Sequence, residues 1–177
     1  MLHPPVHRLL YALRPPEEAL GYLADQQREF GPGREVRGPH LHLTLAITND
    51  FAVFPDRQEE VMRRIGDAIV AHQCPVVLDQ AVASGRSVML APSETLHAVE
   101  ALHLLLRAGM RAAQARMRTG WRHSPHMTLL YRDGKPFILP VPAMSWRATE
   151  FFLVHSLVGQ NRHEIRARWP LGAPTLH

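Results

Sequence analysis

The chain has 177 residues, of which 46% are hydrophobic and 20% are charged, and this composition is typical of a globular domain rather than of a disordered segment. Its 20 basic and 16 acidic side chains give a formal net charge of +4, which favours an anionic partner. The single cysteine excludes an intramolecular disulfide framework, and the lack of a signal peptide or a membrane-length apolar run predicts a cytoplasmic protein with no membrane partner.

The N-terminal half predicts alternating strands and helices. Residues 7–13 are short, apolar and bounded by prolines, which is typical of a strand. Pro15 and Pro16 open a helix that ends before the Gly-Pro-Gly run at 31–33. Leucines alternate with polar residues over 40–48, which predicts a strand, and a helical apolar stripe covers 56–71.

The C-terminal half predicts a hairpin, a long helix and three strands. The hairpin joins 75–83 to 87–91, and the helix covers 92–117. The three remaining strands are expected at 126–132, 146–158 and 162–169. The order is β-α-β-α-β-β-α-β-β-β, and its hairpins and strong alternation favour antiparallel sheets with helices on one face, an α+β class.

Two short segments nearly repeat at a separation close to half the chain. The first is His42-Leu43-Thr44-Leu45 and the second is His126-Met127-Thr128-Leu129. In a strand, residues i and i+2 point to the same face, so each histidine projects with its threonine while the apolar residues point to the core. The repeat indicates an internal duplication, in which two imidazoles and two hydroxyls face each other across a cleft.

Such a set suits in-line displacement at phosphorus. One histidine can act as a general base on the attacking oxygen and the other as a general acid on the leaving oxygen, because the ordinary pKa of histidine is about 6.5. Threonine hydroxyls can donate hydrogen bonds to the non-bridging oxygens. The scheme needs no metal ion and no cofactor.

These twin motifs resemble those of the 2H phosphoesterase superfamily, specifically the 2′-5′ RNA ligase / RNA 2′,3′-cyclic phosphodiesterase family. Similarity extends to the first strand at 8–13, the segment 39–46 and the final hairpin at 159–171. The resemblance implies one domain over 1–177, made of two lobes that each contribute a motif. It also implies a bilobal, pseudo-twofold fold, in which two antiparallel sheets line a central cleft and helices lie outside.

The resemblance also implies the reaction and the roles of the residues. The family opens RNA 2′,3′-cyclic phosphates to 2′-phosphomonoesters and, more weakly, joins RNA ends reversibly through 2′-5′ bonds. By motif position, His42 is the proton donor, His126 is the proton acceptor, and Thr44 and Thr128 hold the phosphate. The expected partners are RNA ends or nucleotides bearing a 2′,3′-cyclic phosphate, bound by a monomer.

A few further residues are candidates for substrate contact. Arg132 could bind phosphate and Tyr11 could stack on a base, although a solvated arginine and a core aromatic are the simpler interpretations. Strict alternation places Arg132 on the face of Thr128 and turns Tyr131 away. His163 stands where the family hairpin often has a tyrosine, so recognition of the base and the RNA end is open.

Two other functions stay open on the sequence alone. His40 and His42 share a strand face and, with His123 or His126, could ligate a metal ion in a hydrolase. Alternatively, the cleft could hold phosphate ends without turnover, as an RNA-end or nucleotide-phosphate binding module. Metal analysis and an assay with a nucleoside 2′,3′-cyclic phosphate separate these alternatives.

Overall fold

A computed structural model describes residues 5–115, 117–160 and 162–172, which form nine strands and three α-helices. The helices are α1 (Leu20–Phe30), α2 (Asp56–Ala68) and α3 (His97–Ala112). The strands are β1 (Val6–Leu13), β2 (Arg34–Glu35), β3 (Leu43–Ile47), β4 (Cys74–Ala83), β5 (Ser87–Ala91), β6 (Met127–Tyr131), β7 (Phe137–Ala148), β8 (Glu150–Val158) and β9 (Arg162–Pro170). All strand pairs are antiparallel, which confirms the predicted α+β class.

The strands form one sheet in the order β7-β4-β5-β6-β3-β1-β8-β9, with β2 added beside β6. We call β1, β3, β8 and β9 the first half-sheet, and β4, β5, β6 and β7 the second half-sheet. The two motif strands, β3 and β6, meet at the centre through the pair Leu43 and Met127. The two expected sheets are therefore the halves of one sheet, and each half carries one motif strand at the junction.

Both motif strands contain a bulge at the same motif position. In the β1–β3 pair, Tyr11 lies opposite Ala46 and Ala12 lies opposite Thr44, so Leu45 is an extra residue. In the β5–β6 pair, Leu129 is extra in the same way, between Thr128 and Leu130. A bulge shifts the side-chain alternation by one residue. The equivalence of Leu45 and Leu129 supports the predicted duplication.

The helices cover the apolar face of the sheet and leave the motif polar groups on the other face. Leu43, Leu45 and Leu129 are buried in one core cluster with Met62 of α2 and Leu106 of α3. α2 also approaches β9 so closely that a Cβ on Gly66 would meet the Trp169 ring at 2.3 Å. The buried helical face holds the two motif strands in place from behind.

The sequence predicts one strand over 146–158, which includes only the last three residues of β7 and all of β8. Most of β7 is therefore not predicted. The structure has β7 up to Ala148 and a separate β8 from Glu150. β7 contains Pro140 and Pro142, which argue against a central strand. It lies at the sheet edge and pairs with β4 alone, where the missing proline N–H groups are tolerated.

Two other boundaries differ from the prediction. The helix expected over 92–117 is shorter at both ends: Ser93 is held outside it, because the Asp79 carboxylate accepts hydrogen bonds from the Ser93 amide and hydroxyl. Its C-terminal end is followed by Gln114, which has a φ of 57°. The strand expected from His40 begins instead at Leu43, after a 3₁₀ turn over Gly38–His40.

Within the described part of the chain, no helix combines the length and the apolar character needed to cross a membrane.

Candidate active site

The four motif side chains line one cleft. His42 and His126 stand immediately before β3 and β6, the two strands that meet at the centre of the sheet. Their side chains, together with those of Thr44 and Thr128, line a cavity of about 430 Å³. The structure thus brings together the four residues that the sequence analysis selected.

Both histidines are oriented in the same way. Nδ1 of His42 donates a hydrogen bond to the carbonyl oxygen of His40 at 2.7 Å, and Nδ1 of His126 donates to the carbonyl of Ser124 at 2.7 Å. A carbonyl only accepts, so each Nδ1 carries a proton and each Nε2 is left for chemistry. In both motifs the fixed tautomer comes from the carbonyl two residues earlier.

The surroundings of His42 are crowded with imidazoles. Its ring centroid lies 5.4 Å from that of His163, and the His163 ring lies 4.6 Å from that of His40. Burial lowers the pKa of His42, and positive charge on His126, His40 and Arg14 lowers it further, against the raising effect of the His40 carbonyl. Burial lowers the pKa of His163 to about 3, with smaller contributions from positive charge on His42, His40, Arg14 and Arg8, so His163 is neutral near pH 7.

Two aromatic side chains line the cleft without having been predicted to do so. Trp121, in the segment before the second motif, and Tyr131, at the end of β6, both face the cavity. The bulge at Leu129 buries Leu130 and turns Tyr131 toward the cleft, so the predicted orientation of Tyr131 is wrong. No periodicity places Trp121 there, because it follows α3 in a segment without regular secondary structure.

Three arginines supply positive charge at the cleft: Arg8, Arg34 and Arg118. Asp50 accepts hydrogen bonds from Arg8 at 2.6 and 2.9 Å and from Arg118 at 2.9 Å. Arg34 lies over the Tyr131 ring, with its guanidinium carbon 4.5 Å from the ring centroid. With one carboxylate against three guanidinium groups, this side of the cleft suits an anion.

The two weaker candidates for substrate contact do not line the cleft. Tyr11 is fully buried in the hydrophobic core, and its hydroxyl donates to the carbonyl of Met62 at 2.5 Å. The Arg132 guanidinium instead lies toward Phe137, 6.0 Å from that ring centroid. The bulge that brings Tyr131 into the cleft removes Arg132 from the face of Thr128, so both suggested contacts are wrong.

The histidines proposed for a metal site do not form one cluster. Among residues 5–115, 117–160 and 162–172, one group of three potential ligands converges, and it consists of Glu100, His103 and His123. This group contains neither His40 nor His42. The predicted metal set is therefore not the one that the structure brings together.

Known structures with the same fold support the comparison with phosphoesterases. E. coli LigT complexed with 3′-AMP superposes with a TM-score of 0.79 and 24% identity, covering 94% of this chain and 98% of that chain. A protein described as a phosphoesterase gives 0.75 and 26%, covering 93% and 98%. TT0787 of Thermus thermophilus gives 0.74 and 22%, covering 95% and 100%. Other LigT structures are complexed with ATP and NADP+.

No protein-family model matches the chain, and no curated protein matches it in sequence. The similarity of this chain to the phosphoesterase structures therefore depends on the shared fold together with the paired motifs in one cleft.

Proposed function

We propose that this chain is a 2H phosphoesterase that opens RNA 2′,3′-cyclic phosphate ends to 2′-phosphomonoesters, with reversible 2′-5′ ligation of RNA ends as a weaker activity. The observation that carries the proposal is the matched orientation of His42 and His126 in one cleft, each with Nδ1 bound to a carbonyl. Matched Nε2 atoms suit a reaction that needs an acid and a base at once.

In the proposed reaction, water attacks phosphorus and the bond from phosphorus to O3′ breaks. Nε2 of His126 accepts the proton of the attacking water, and Nε2 of His42 donates a proton to the departing O3′. The phosphate stays on O2′. Before the next turnover, His126 releases its added proton to solvent and His42 takes up a proton from solvent. The hydrogen bonds to the His40 and Ser124 carbonyls keep both rings aligned throughout.

The lowered pKa of His42 sets a condition on this assignment. A proton donor must be protonated, and a buried imidazole with a lowered pKa is mostly neutral near pH 7. A bound phosphate anion raises the pKa of a nearby imidazole, so substrate binding would protonate His42 in the complex. Donation by His42 therefore requires that kcat/KM decrease as pH rises through the lowered pKa.

The threonines and arginines complete the proposed site. Thr44 and Thr128 donate to the non-bridging oxygens, where negative charge accumulates in the transition state. Arg8, Arg34 and Arg118 attract the anionic end, and Trp121 and Tyr131 offer aromatic faces for a base. The complexes of LigT with 3′-AMP, ATP and NADP+ support a nucleotide or RNA-end ligand.

The proposal is tested by incubating the protein with a short RNA that ends in a 2′,3′-cyclic phosphate. We expect a product with the phosphate on O2′, formed at the same rate with and without a chelator. His97→Ala is the matched control for substitutions of His42 and His126, because His97 is exposed on α3 and does not line the cleft. A 3′-phosphate product would contradict the proposed regiochemistry, and loss of activity with chelator would favour the metal hydrolase.

The alternative of a binding module without turnover is decided by the same experiment. Unchanged substrate, together with saturable binding of a nucleoside 2′-phosphate, would indicate a module that only holds phosphate ends. Action as a monomer in the cytoplasm stays part of the proposal, and gel filtration at several concentrations tests the monomer.

A further inference from the structure

A cluster of two buried histidines and one partly exposed glutamate, which the proposed reaction does not use, lies behind the cleft. It consists of Glu100 and His103 on α3 and His123 in the segment that leads to the second motif. His103 is 4% exposed, and the His123 side chain is 3% exposed. Burial of titratable groups at this depth requires specific partners.

The three side chains are joined by directed contacts. Nδ1 of His123 donates to Oε2 of Glu100 at 2.8 Å, and the His103 and His123 rings stack at 4.1 Å with planes 7° apart. Nδ1 of His103 donates to the carbonyl oxygen of Leu45 at 2.7 Å. The Glu100 carboxylate thus orients the His123 ring, and the His123 ring packs against the His103 ring.

The contact with Leu45 connects the cluster to the first motif. Leu45 is the extra residue of the β3 bulge and follows Thr44 directly. A bulged residue is left out of the regular ladder, so its polar groups need other partners. His103 on α3 donates such a hydrogen bond to the Leu45 carbonyl, and this hydrogen bond fixes the backbone next to Thr44.

The position of His123 connects the cluster to the second motif. Its neighbour Ser124 provides the carbonyl that orients His126. Two residues earlier, Trp121 lines the cleft, and its ring centroid lies 5.9 Å from that of His103 and 6.0 Å from that of His123. Anchoring His123 therefore restrains both the tautomer of His126 and one aromatic wall of the cleft.

The ring geometry favours a hydrogen-bonded cluster over a metal site. Imidazole nitrogens bind a metal ion in the plane of the ring, and two nearly parallel planes at this stacking distance do not share such a point. Both Nδ1 atoms are also in use as donors, one to a carbonyl and one to a carboxylate.

We propose that Glu100, His103 and His123 form a clamp that couples the two catalytic motifs by holding the Leu45 carbonyl on one side and the Ser124 carbonyl on the other. The three are positioning residues, since they act through Thr44, His126 and Trp121. The kinetic part of the inference rests on the proposed cyclic phosphodiesterase activity, and its structural part does not.

The test compares Glu100→Ala, Glu100→Gln and the control Glu60→Ala, which removes an exposed carboxylate on α2. We expect Glu100→Ala to lower kcat about tenfold while KM changes less than twofold, because misplacement affects the reacting geometry more than binding. Glu100→Gln should restore most of the rate, since its amide oxygen still accepts from Nδ1 of His123. Glu60→Ala should match the parent protein.

A second readout does not depend on turnover. Long-range ¹H–¹⁵N spectra of the imidazoles should show His126 with its proton on Nδ1 in the parent and as a mixture of tautomers in Glu100→Ala. His103→Phe keeps a stacked ring and removes the donor to Leu45, so it should give the same loss of kcat if Glu100→Ala fails to fold. If the parent does not open a cyclic phosphate, the proposed function fails and the tautomers still decide the clamp.

Three results would overturn the clamp. One is an unchanged His126 tautomer in both Glu100→Ala and His103→Phe. Another is parental kcat in folded Glu100→Ala, with its thermal midpoint within a few degrees of the parent. The last is stoichiometric Zn²⁺ binding that His103→Phe abolishes, because the cluster would then be a metal site.

Discussion

The two His-x-Thr motifs share a backbone geometry and differ in their surroundings. In each motif, Nδ1 of the histidine donates a hydrogen bond to the carbonyl oxygen two residues earlier. The threonine faces the cleft, and a bulged leucine follows the threonine. His42, however, is packed among the rings of His40 and His163, and burial lowers its pKa. His126 depends on a segment that contains Trp121 and the anchored His123. Duplication of the motif has thus repeated the backbone geometry, whereas the side chains packed around each copy differ, and the proposed division into acid and base depends on that difference.

The largest effect should come from removing either histidine. His42→Ala and His126→Ala should each lower kcat/KM for a 2′,3′-cyclic phosphate by about 10³-fold, since proton transfer by one positioned group contributes about 10²–10⁴-fold. Steady-state rates with circular dichroism as a check on folding measure this. Parental activity in either variant would disprove the two-histidine mechanism.

A change of leaving group should then separate the two copies. A phosphodiester that releases nitrophenolate needs little protonation, so it bypasses the general acid but still needs the base. If His42 is the donor, His42→Ala should recover a larger share of the parental rate than His126→Ala does. The opposite recovery would assign His42 as the base, as its lowered pKa in the free enzyme would also suit.

The threonines should matter next, and about equally. Thr44→Val and Thr128→Val remove one hydroxyl each and keep the shape, and we expect kcat to decrease about 10- to 100-fold with a small change in KM. Thr95→Val, on an exposed residue before α3, is the control. A loss confined to one threonine would show that the two copies contact the phosphate unequally.

A smaller effect is expected from the aromatic wall near the second motif. Tyr131→Ala should raise KM for an RNA end about five- to tenfold with little change in kcat, because stacking on one base contributes about 1–3 kcal/mol. The effect should be weaker for a substrate without a base. Ile47→Ala is the matched comparison, because Ile47 occupies the equivalent position after the bulge of the first motif and also lines the cleft. Equal effects of both variants on KM would argue against stacking by Tyr131.

The last effect is on stability rather than on the reaction, and it concerns the first motif. Unfolded His163 binds a proton near pH 6.5, whereas the folded protein binds it only at about pH 3. Between these values the unfolded state holds more protons, so the free energy of unfolding decreases as pH falls. One proton gives at most about 1.4 kcal/mol per pH unit, and the partial exposure of His163 to water keeps its contribution below that limit. In denaturant titrations from pH 7 to 4, His163→Gln should reduce the slope. An unchanged slope would mean that His163 is not shielded from water.

Sequence patterns predicted the parts of the site that follow local periodicity. His42 with Thr44, and His126 with Thr128, satisfy the two-residue repeat of a strand, and the structure places all four in the cleft. The same rule failed at Tyr131, because one extra residue at Leu129 reverses every later side chain and leaves no mark in composition. Trp121 and His163 reach the cleft through tertiary packing, which a linear pattern does not record.

The fold was predictable to the same extent. Alternation and hairpin turns predicted most strands, and the apolar stripes predicted the three helices. The edge position of β7 was not visible, because its prolines exclude it from the centre of a sheet without indicating that it lies at the edge. Nor does the sequence state that β8 pairs with β1, a contact between the two ends of the chain.

The pairing of β8 with β1 also has a consequence for the order in which the molecule forms during synthesis. The second half-sheet is continuous in the chain from Cys74 to Ala148 and needs nothing translated later. The first half-sheet needs β8 and β9, which leave the ribosome after all the other described strands. The N-terminal motif, although translated first, therefore reaches its finished sheet after the second motif does. Until then the nascent chain carries the outer edge of β1 unpaired, the state in which chaperone binding and edge-to-edge association are expected to concentrate.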